Sequence, residues 1–313
     1  MRALILIALA VGGDRVIQSD AEVGDLAFSP DGGALAGVCR DGKVRLWDSR
    51  SGALQKTVAW DPGDAGVTLA ERADTLASVG KQGGIKLWDL QSGGSPRRIP
   101  TAAQQARSLA LSRDRKLLAG AGRASLPGSE NVVYVWDASG KERFHVNSGI
   151  GGISRMAFSP DGATLVAAGY DADVRAWSTR NGELLRLIDE LQVSMFAVAF
   201  SPDGRHLATA GVDRIVYLWD AKTWKLARKL VGQPEMISSM DFSPDGKMLA
   251  TGGFDSTTTR NPVKILVWDV ASGKVIRTLP AAHAVRSAVF SPDGKLLAAA
   301  GLERSVNIWN LAP

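Results

Sequence analysis

Residues 200–220 read FSPDGRHLATAGVDRIVYLWD, and they contain a turn, a short strand, a second turn and an alternating run that ends on Trp219. In Phe200-Ser201-Pro202-Asp203-Gly204, Pro202 fixes φ at one corner and Asp203 bonds its own backbone. Gly204 accepts the left-handed conformation that reverses the chain. The same five residues recur at 28–32, 158–162, 242–246 and 290–294. A strand precedes each copy and another follows, as in Met248-Leu249-Ala250-Thr251.

The second marker is the indole that closes each alternating run. Trp47, Trp88, Trp136, Trp177, Trp219, Trp268 and Trp309 follow one another at intervals of 41, 48, 41, 42, 49 and 41 residues. Asp48, Asp89, Asp137, Asp220 and Asp269 come directly after their Trp. From the first Leu of the second strand to the Trp is 12 residues in five repeats, as in Leu35 to Trp47, but 18 from Leu118 to Trp136 and 19 from Leu249 to Trp268. Removing the excess leaves 42 in both long intervals, so both insertions sit in one equivalent loop. Each repeat supplies four short strands with a period of about 40–45 residues, the pattern of a propeller blade.

These residues resemble the WD40 repeat family from Asp14 to Asn310, in a clean phrasing with a bacterial look. The resemblance implies an all-β, seven-bladed β-propeller spanning residues 13–313. The chain stops four residues after Trp309, so the seventh blade lacks its fourth strand at that end. Gly13-Asp14-Arg15-Val16-Ile17-Gln18-Ser19 mirrors Gly273-Lys274-Val275-Ile276-Arg277-Thr278. The family's closure therefore implies an N-terminal strand that completes the last blade and hides an edge open to aggregation.

Composition bounds the remaining possibilities. With 313 residues, 45% hydrophobic and 22% charged, the chain is of ordinary globular type, and nine Trp against three Tyr fit a repeated structural use of indole. A net charge of +5 spread along the chain gives a mild positive field without the basic run of a nucleic-acid binder. Cys39 is the one cysteine, which excludes an intrachain disulfide and any multi-thiolate metal site. Residues 1–12 begin MRALILIALA, readable as a short signal peptide, which implies a periplasmic or secreted protein, or as an apolar leader on a cytoplasmic one. The segment is too short for a helix that crosses a bilayer.

No catalytic, cofactor-binding or metal-ligating set emerges. The five Ser-Pro-Asp-Gly aspartates are turn residues on different blades, too far apart to share an ion. His145, His206 and His283 lack metal-ligand spacing, and neither GxxxxGK[ST] nor CxxCH occurs. In the family, a loop His can bond through Ser or Thr and an Asp to the blade Trp. Only His283 approaches that position, and its blade offers Glu303 and Ala instead. The network looks degraded elsewhere too, although Asp41, Asp171, Asp213 and Asp255 retain the hairpin acid, whose plainer role is to stabilise the turn.

The residue before that hairpin acid lies, in the family, on the top face near the channel rim. Carried onto this chain, those positions are Arg40, Lys81, Tyr170, Val212, Phe254 and Leu302. Four apolar residues on consecutive blades beside two cations suit a protein or peptide partner with an acidic edge. Val212 and Leu302 fit the channel wall equally well. The enlarged hairpin loops, Arg123 to Asn131 and Ser256 to Pro262, belong on the same face, as specificity loops or as tolerated insertions. The expected function is a non-enzymatic, monomeric interaction scaffold without cofactor, nucleic acid or membrane span, free-standing or within a larger assembly. The alternative is a propeller enzyme or small-molecule binder at the channel mouth.

Overall fold

The computed structural model describes residues 14–59, 66–69, 75–79, 85–89, 97–99, 108–123, 131–149, 152–255 and 261–312. The leader at 1–12, Lys81 and most of both enlarged hairpin loops lie outside the described residues. The described chain forms seven four-stranded antiparallel sheets, the seven blades of a propeller. Blade five shows the common plan. Met195–Phe200 is innermost, followed outward by His206–Gly211, Ile215–Asp220 and Leu226–Val231.

The ring is closed. The inner strands of blades one to seven are Val23–Phe28, Gly66–Leu69, Ser108–Leu111, Ile153–Phe158, Met195–Phe200, Met236–Phe242 and Val285–Phe290. Each packs against the next, and the seventh packs against the first. Closure of the last blade is covalently out of order, as the sequence implies. Arg15–Gln18 pairs with Ser305–Asn310 in the register Arg15↔Ile308 to Gln18↔Ser305. Ile17 is buried in a cluster that joins Val23, Leu26 and Phe28 of blade one to Val306 and Ile308 of blade seven.

The turns follow directly from their residues. In Ser29-Pro30-Asp31-Gly32, Ser29 Oγ donates to Asp31 Oδ1 at 2.6 Å, and Asp31 Oδ1 also accepts from Gly33 N at 3.0 Å. Ala34 N in turn donates to Ser29 Oγ at 2.8 Å. The arrangement repeats at Ser159, Ser201, Ser243 and Ser291. Blade three builds it from Ser112-Arg113-Asp114-Arg115, with Ser112 Oγ donating to Asp114 Oδ1 at 2.7 Å. There Arg115 takes the left-handed φ of 60° that glycine takes in the five intact copies, where φ is 71°. The aspartate after the Trp caps a second turn: Asp48 Oδ1 accepts from Ser51 N at 2.7 Å and from Ser51 Oγ at 2.8 Å.

Trp47, Trp136, Trp177, Trp219, Trp268 and Trp309 are all buried, and the side chain of Trp88 is outside the described set. Their indoles fill the space between neighbouring strands so tightly that a Cβ added at Gly37 would come within 2.6 Å of Trp47 Cζ3. Truncating such a side chain costs about 3–5 kcal/mol.

Candidate functional site

The inner strands carry a feature that shapes the channel mouth. Among the described residues, five of them hold one extra residue where they pair with the second strand: Gly24, Ser154, Phe196, Ser238 and Arg286. Such a bulge bends the strand and re-aims the side chain of the extra residue. All five line a cavity of about 500 Å³ at the channel mouth, where Tyr170, Phe254 and Leu302 of the hairpins join them. That volume lies within the range of ligand sites.

An aromatic strip crosses three blades. Tyr170 of blade four lies 5.6 Å from Phe196 of blade five, centroid to centroid and tilted by 58°. Phe196 lies 6.0 Å from Phe254 of blade six, the rings 27° apart. These separations are those of attractive aromatic pairs. Tyr170 is 59% exposed, so the strip opens to solvent. The serines of the cavity are committed to structure. Ser154 Oγ donates to Ala168 O at 2.9 Å and sits 2.5 Å from Met195 O, and Ser238 Oγ donates to Val285 O at 3.0 Å. Each ties its blade to the next.

Two cations bracket the strip, Arg155 on blade four and Arg286 on blade seven. Arg286 reaches solvent, yet the cavity wall desolvates it and holds its guanidinium below the ordinary range, with the charge of Arg40 adding to the effect and Glu22 opposing it. Among the described residues of the lining there is no carboxylate, histidine or cysteine.

The six positions expected to meet partners are distributed unevenly. Tyr170, Phe254 and Leu302 line the cavity. Arg40 is on the rim, its Nε 3.1 Å from Glu22 Oε2. Val212 is half-buried and off the cavity lining, its backbone N–H donating to Ser194 O at 3.1 Å, and Phe196 takes the place of blade five in the strip. Lys81 is outside the described residues. Phe196 and Arg286, both bulged residues, and Arg155, which follows the bulged Ser154, lie outside the hairpin positions that the family resemblance points to. One signal exists: the bulged residue stands four before the Phe of each Phe-Ser-Pro-Asp-Gly copy.

A family model for the WD domain, G-beta repeat, matches residues 9–48, 143–178, 189–220, 224–258 and 273–310, more than half of the chain. The chain belongs to the WD40 repeat family. No curated protein matches it. The unmatched stretch between residues 48 and 143 contains blade two and the first three strands of blade three of this WD40 propeller, where the turn marker is degenerate.

The WD40 network from Trp to the hydroxyl is better kept than the sequence suggests. Trp219 Nε1 donates to Thr209 Oγ1 at 3.0 Å, and Trp268 Nε1 donates to Thr251 Oγ1 at 2.9 Å. In blade six Thr251 Oγ1 donates on to Gln233 Oε1 at 2.8 Å, and Gln233 Nε2 reaches Glu235 at 2.8 Å and Lys264 O at 2.9 Å. A glutamine amide thus relays the chain of bonds. His283 instead has Nδ1 against its own neighbour, Ala282 O.

Three of the hairpin acids bond the side chain two residues before the Trp, whereas Asp255, whose blade has Leu266 there, accepts from Asn261 Nδ2 at 3.0 Å. Asp41 holds Arg45 at 2.6 and 3.0 Å, Asp171 holds Arg175 at 2.8 Å, and Asp213 accepts from Tyr217 Oη at 2.7 Å. Burial first, then the bond and charge of Asp213, push the Tyr217 phenol up to about 12. Arg45 also reaches Asp20 at 3.3 Å, tying the closing segment to blade one. Asp41, Asp171 and Asp213 therefore brace strands, which is more than turn stabilisation.

A second cleft of about 800 Å³ lies at the opposite end of blades three and four, and Asp114, Asp137 and Asp161 on its wall are held by their own turns. No helix among the described residues is long and apolar enough to cross a membrane, and no cluster of His, Cys, Asp or Glu among them is suited to a metal.

Proposed function

We propose that this protein is a non-catalytic, monomeric platform that captures a protein or peptide partner at the channel mouth. WD40 repeats typically mediate protein–protein interaction, and the observation that carries the reading here is the open strip of Tyr170, Phe196 and Phe254. A cavity walled by two half-buried phenylalanines and opened to solvent by an exposed tyrosine is the kind of aromatic pocket that partner-binding faces use. Leu302 lines the same cavity, and Arg40 supplies positive charge beside it; Lys81, the equivalent position of blade two, lies outside the described residues. Val212 supports its hairpin. The two serines of the lining are spent on backbone bonds, and its ionisable groups are two arginines and the Tyr170 phenol with no carboxylate or histidine beside them, which favours capture over proton transfer.

The test is a quantitative pull-down with the Tyr170→Ala/Phe254→Ala protein. Truncating a central aromatic anchor costs about 2 kcal/mol, roughly thirtyfold in affinity. Both side chains stand on the surface of the cavity, so the melting temperature stays within a degree or two of the parent protein. Undiminished capture by the folded double variant contradicts the proposal.

A further inference from the structure

We infer that the mouth recognises a peptide in which a bulky apolar side chain is flanked on both sides by carboxylates. The inference rests on the mouth being the partner site, and it specifies what that partner presents. Going round the ring, the cavity wall carries Arg155 and Tyr170 on blade four, Phe196 on blade five, Ser238 and Phe254 on blade six, and Arg286 and Leu302 on blade seven. The two end blades each bring one arginine, and the aromatic strip lies between them.

Neither guanidinium has a hydrogen bond or ion pair to a described residue, unlike Arg45 and Arg175, which stand on the third strands of blades one and four and are each held by a hairpin acid. The contrast is physical. A guanidinium partly removed from water and left unpaired costs stability, and Arg286 carries the further repulsion of Arg40. An incoming carboxylate relieves both penalties, and Arg binds it through two parallel N–H···O bonds.

The spacing also selects the class of ligand. A nucleic-acid strand presents phosphates at every step and needs a cationic track beneath them. Here the wall between the two arginines is built mainly of Tyr170, Phe196 and Phe254, and the Ser238 hydroxyl beside them is spent on Val285 O. A peptide meets the pattern with an aromatic or branched aliphatic residue seated on Phe196 between two acidic residues.

The experiment is selection of a random heptapeptide library displayed on phage against three immobilised forms of the full chain: the parent, Arg155→Gln/Arg286→Gln and Tyr170→Ala/Phe254→Ala. The parent is expected to enrich peptides with Asp or Glu on both sides of Trp, Phe, Leu or Ile. The synthetic consensus, followed by fluorescence anisotropy, should bind the arginine variant at least tenfold more weakly and lose affinity as salt rises. That variant should melt at or above the parent temperature, because it sheds unpaired charge.

Apolar peptides without acidic residues, retained by the arginine variant and lost only by the aromatic one, would overturn the inference and leave the mouth as the partner site. No enrichment, or enrichment indifferent to both variants, would overturn both. Displacement of the consensus peptide by oligothymidylate would overturn the peptide assignment. A melting temperature several degrees lower for the arginine variant would give the guanidiniums a structural role and likewise contradict it.

Discussion

Truncating Ile17 to Ala probes the closure of the ring with one side chain. Ile17 is 4% exposed, pairs with Val306, and packs against the turn of the next blade, where a Cβ on Gly52 would lie 3.1 Å from its Cγ1. It therefore joins blade seven to blade one without belonging to the sequence of either. Removing its outer carbons leaves a cavity in a cluster of buried aliphatics, at a cost of about 3 kcal/mol. For a chain of 313 residues the usual entropy of unfolding converts this into a fall of about 5 °C in melting temperature. Calorimetry and urea denaturation measure both quantities. The matched control is Gln18→Ala on the same strand, whose exposed side chain is worth within about 0.5 kcal/mol. If Ile17→Ala melts with the control, the N-terminal strand does not hold the ring and the reasoning fails.

Three further predictions concern the blades. Thr251→Val removes the hydroxyl between Trp268 and Gln233, leaving an indole N–H and an amide oxygen buried without that partner. The expected loss is about 2 kcal/mol by denaturant titration, against a smaller one for Thr209→Val, where no relay follows the hydroxyl. Arg115→Gly relieves the left-handed strain and should raise stability by about 0.5–1 kcal/mol, a gain that thermal melting resolves. The third concerns acid. The Ser hydroxyls donating to Asp31, Asp161, Asp245 and Asp293 hold these carboxyls below the ordinary value of 3.8. A lowered folded value gives stability that is present above pH 3.8 and is lost as pH falls through the folded values. Melting temperature should thus be flat toward neutral pH and drop below about pH 4. Ser243→Ala should make the acid limb shallower.

The parts legible in sequence are those whose bonds are local. The Ser-Pro-Asp-Gly turn is closed by contacts two and five residues apart, so its residues announce it, and the interval between turn and Trp then counts the blades. Blade three escaped the pattern because Arg115 adopts a conformation that sequence assigns to glycine, yet Ser112 and Asp114 rebuild the same bonds. The Trp network is hard to see in the sequence because the family relay is a histidine, whereas in blade six Gln233 offers both an acceptor and a donor in its place. At the mouth, Tyr170 and Phe254 follow from hairpin position. Phe196 and Arg286 do not, because a bulge depends on how two strands are held in register across a blade; the fixed offset from the turn Phe marks the position only once the bulge is known, and Arg155 enters the wall as the neighbour of the bulged Ser154.

Site-specific photocrosslinking addresses the mouth as a binding surface most directly. A benzoylphenylalanine placed at Phe196 stands in the strip, whereas one placed at Arg205 stands on a Ser-Pro-Asp-Gly turn at the other end of the blade-five strands. Irradiation of cells producing each form should trap a discrete partner at position 196 and none at 205. The same partner trapped at 205 and absent at 196 would contradict the account.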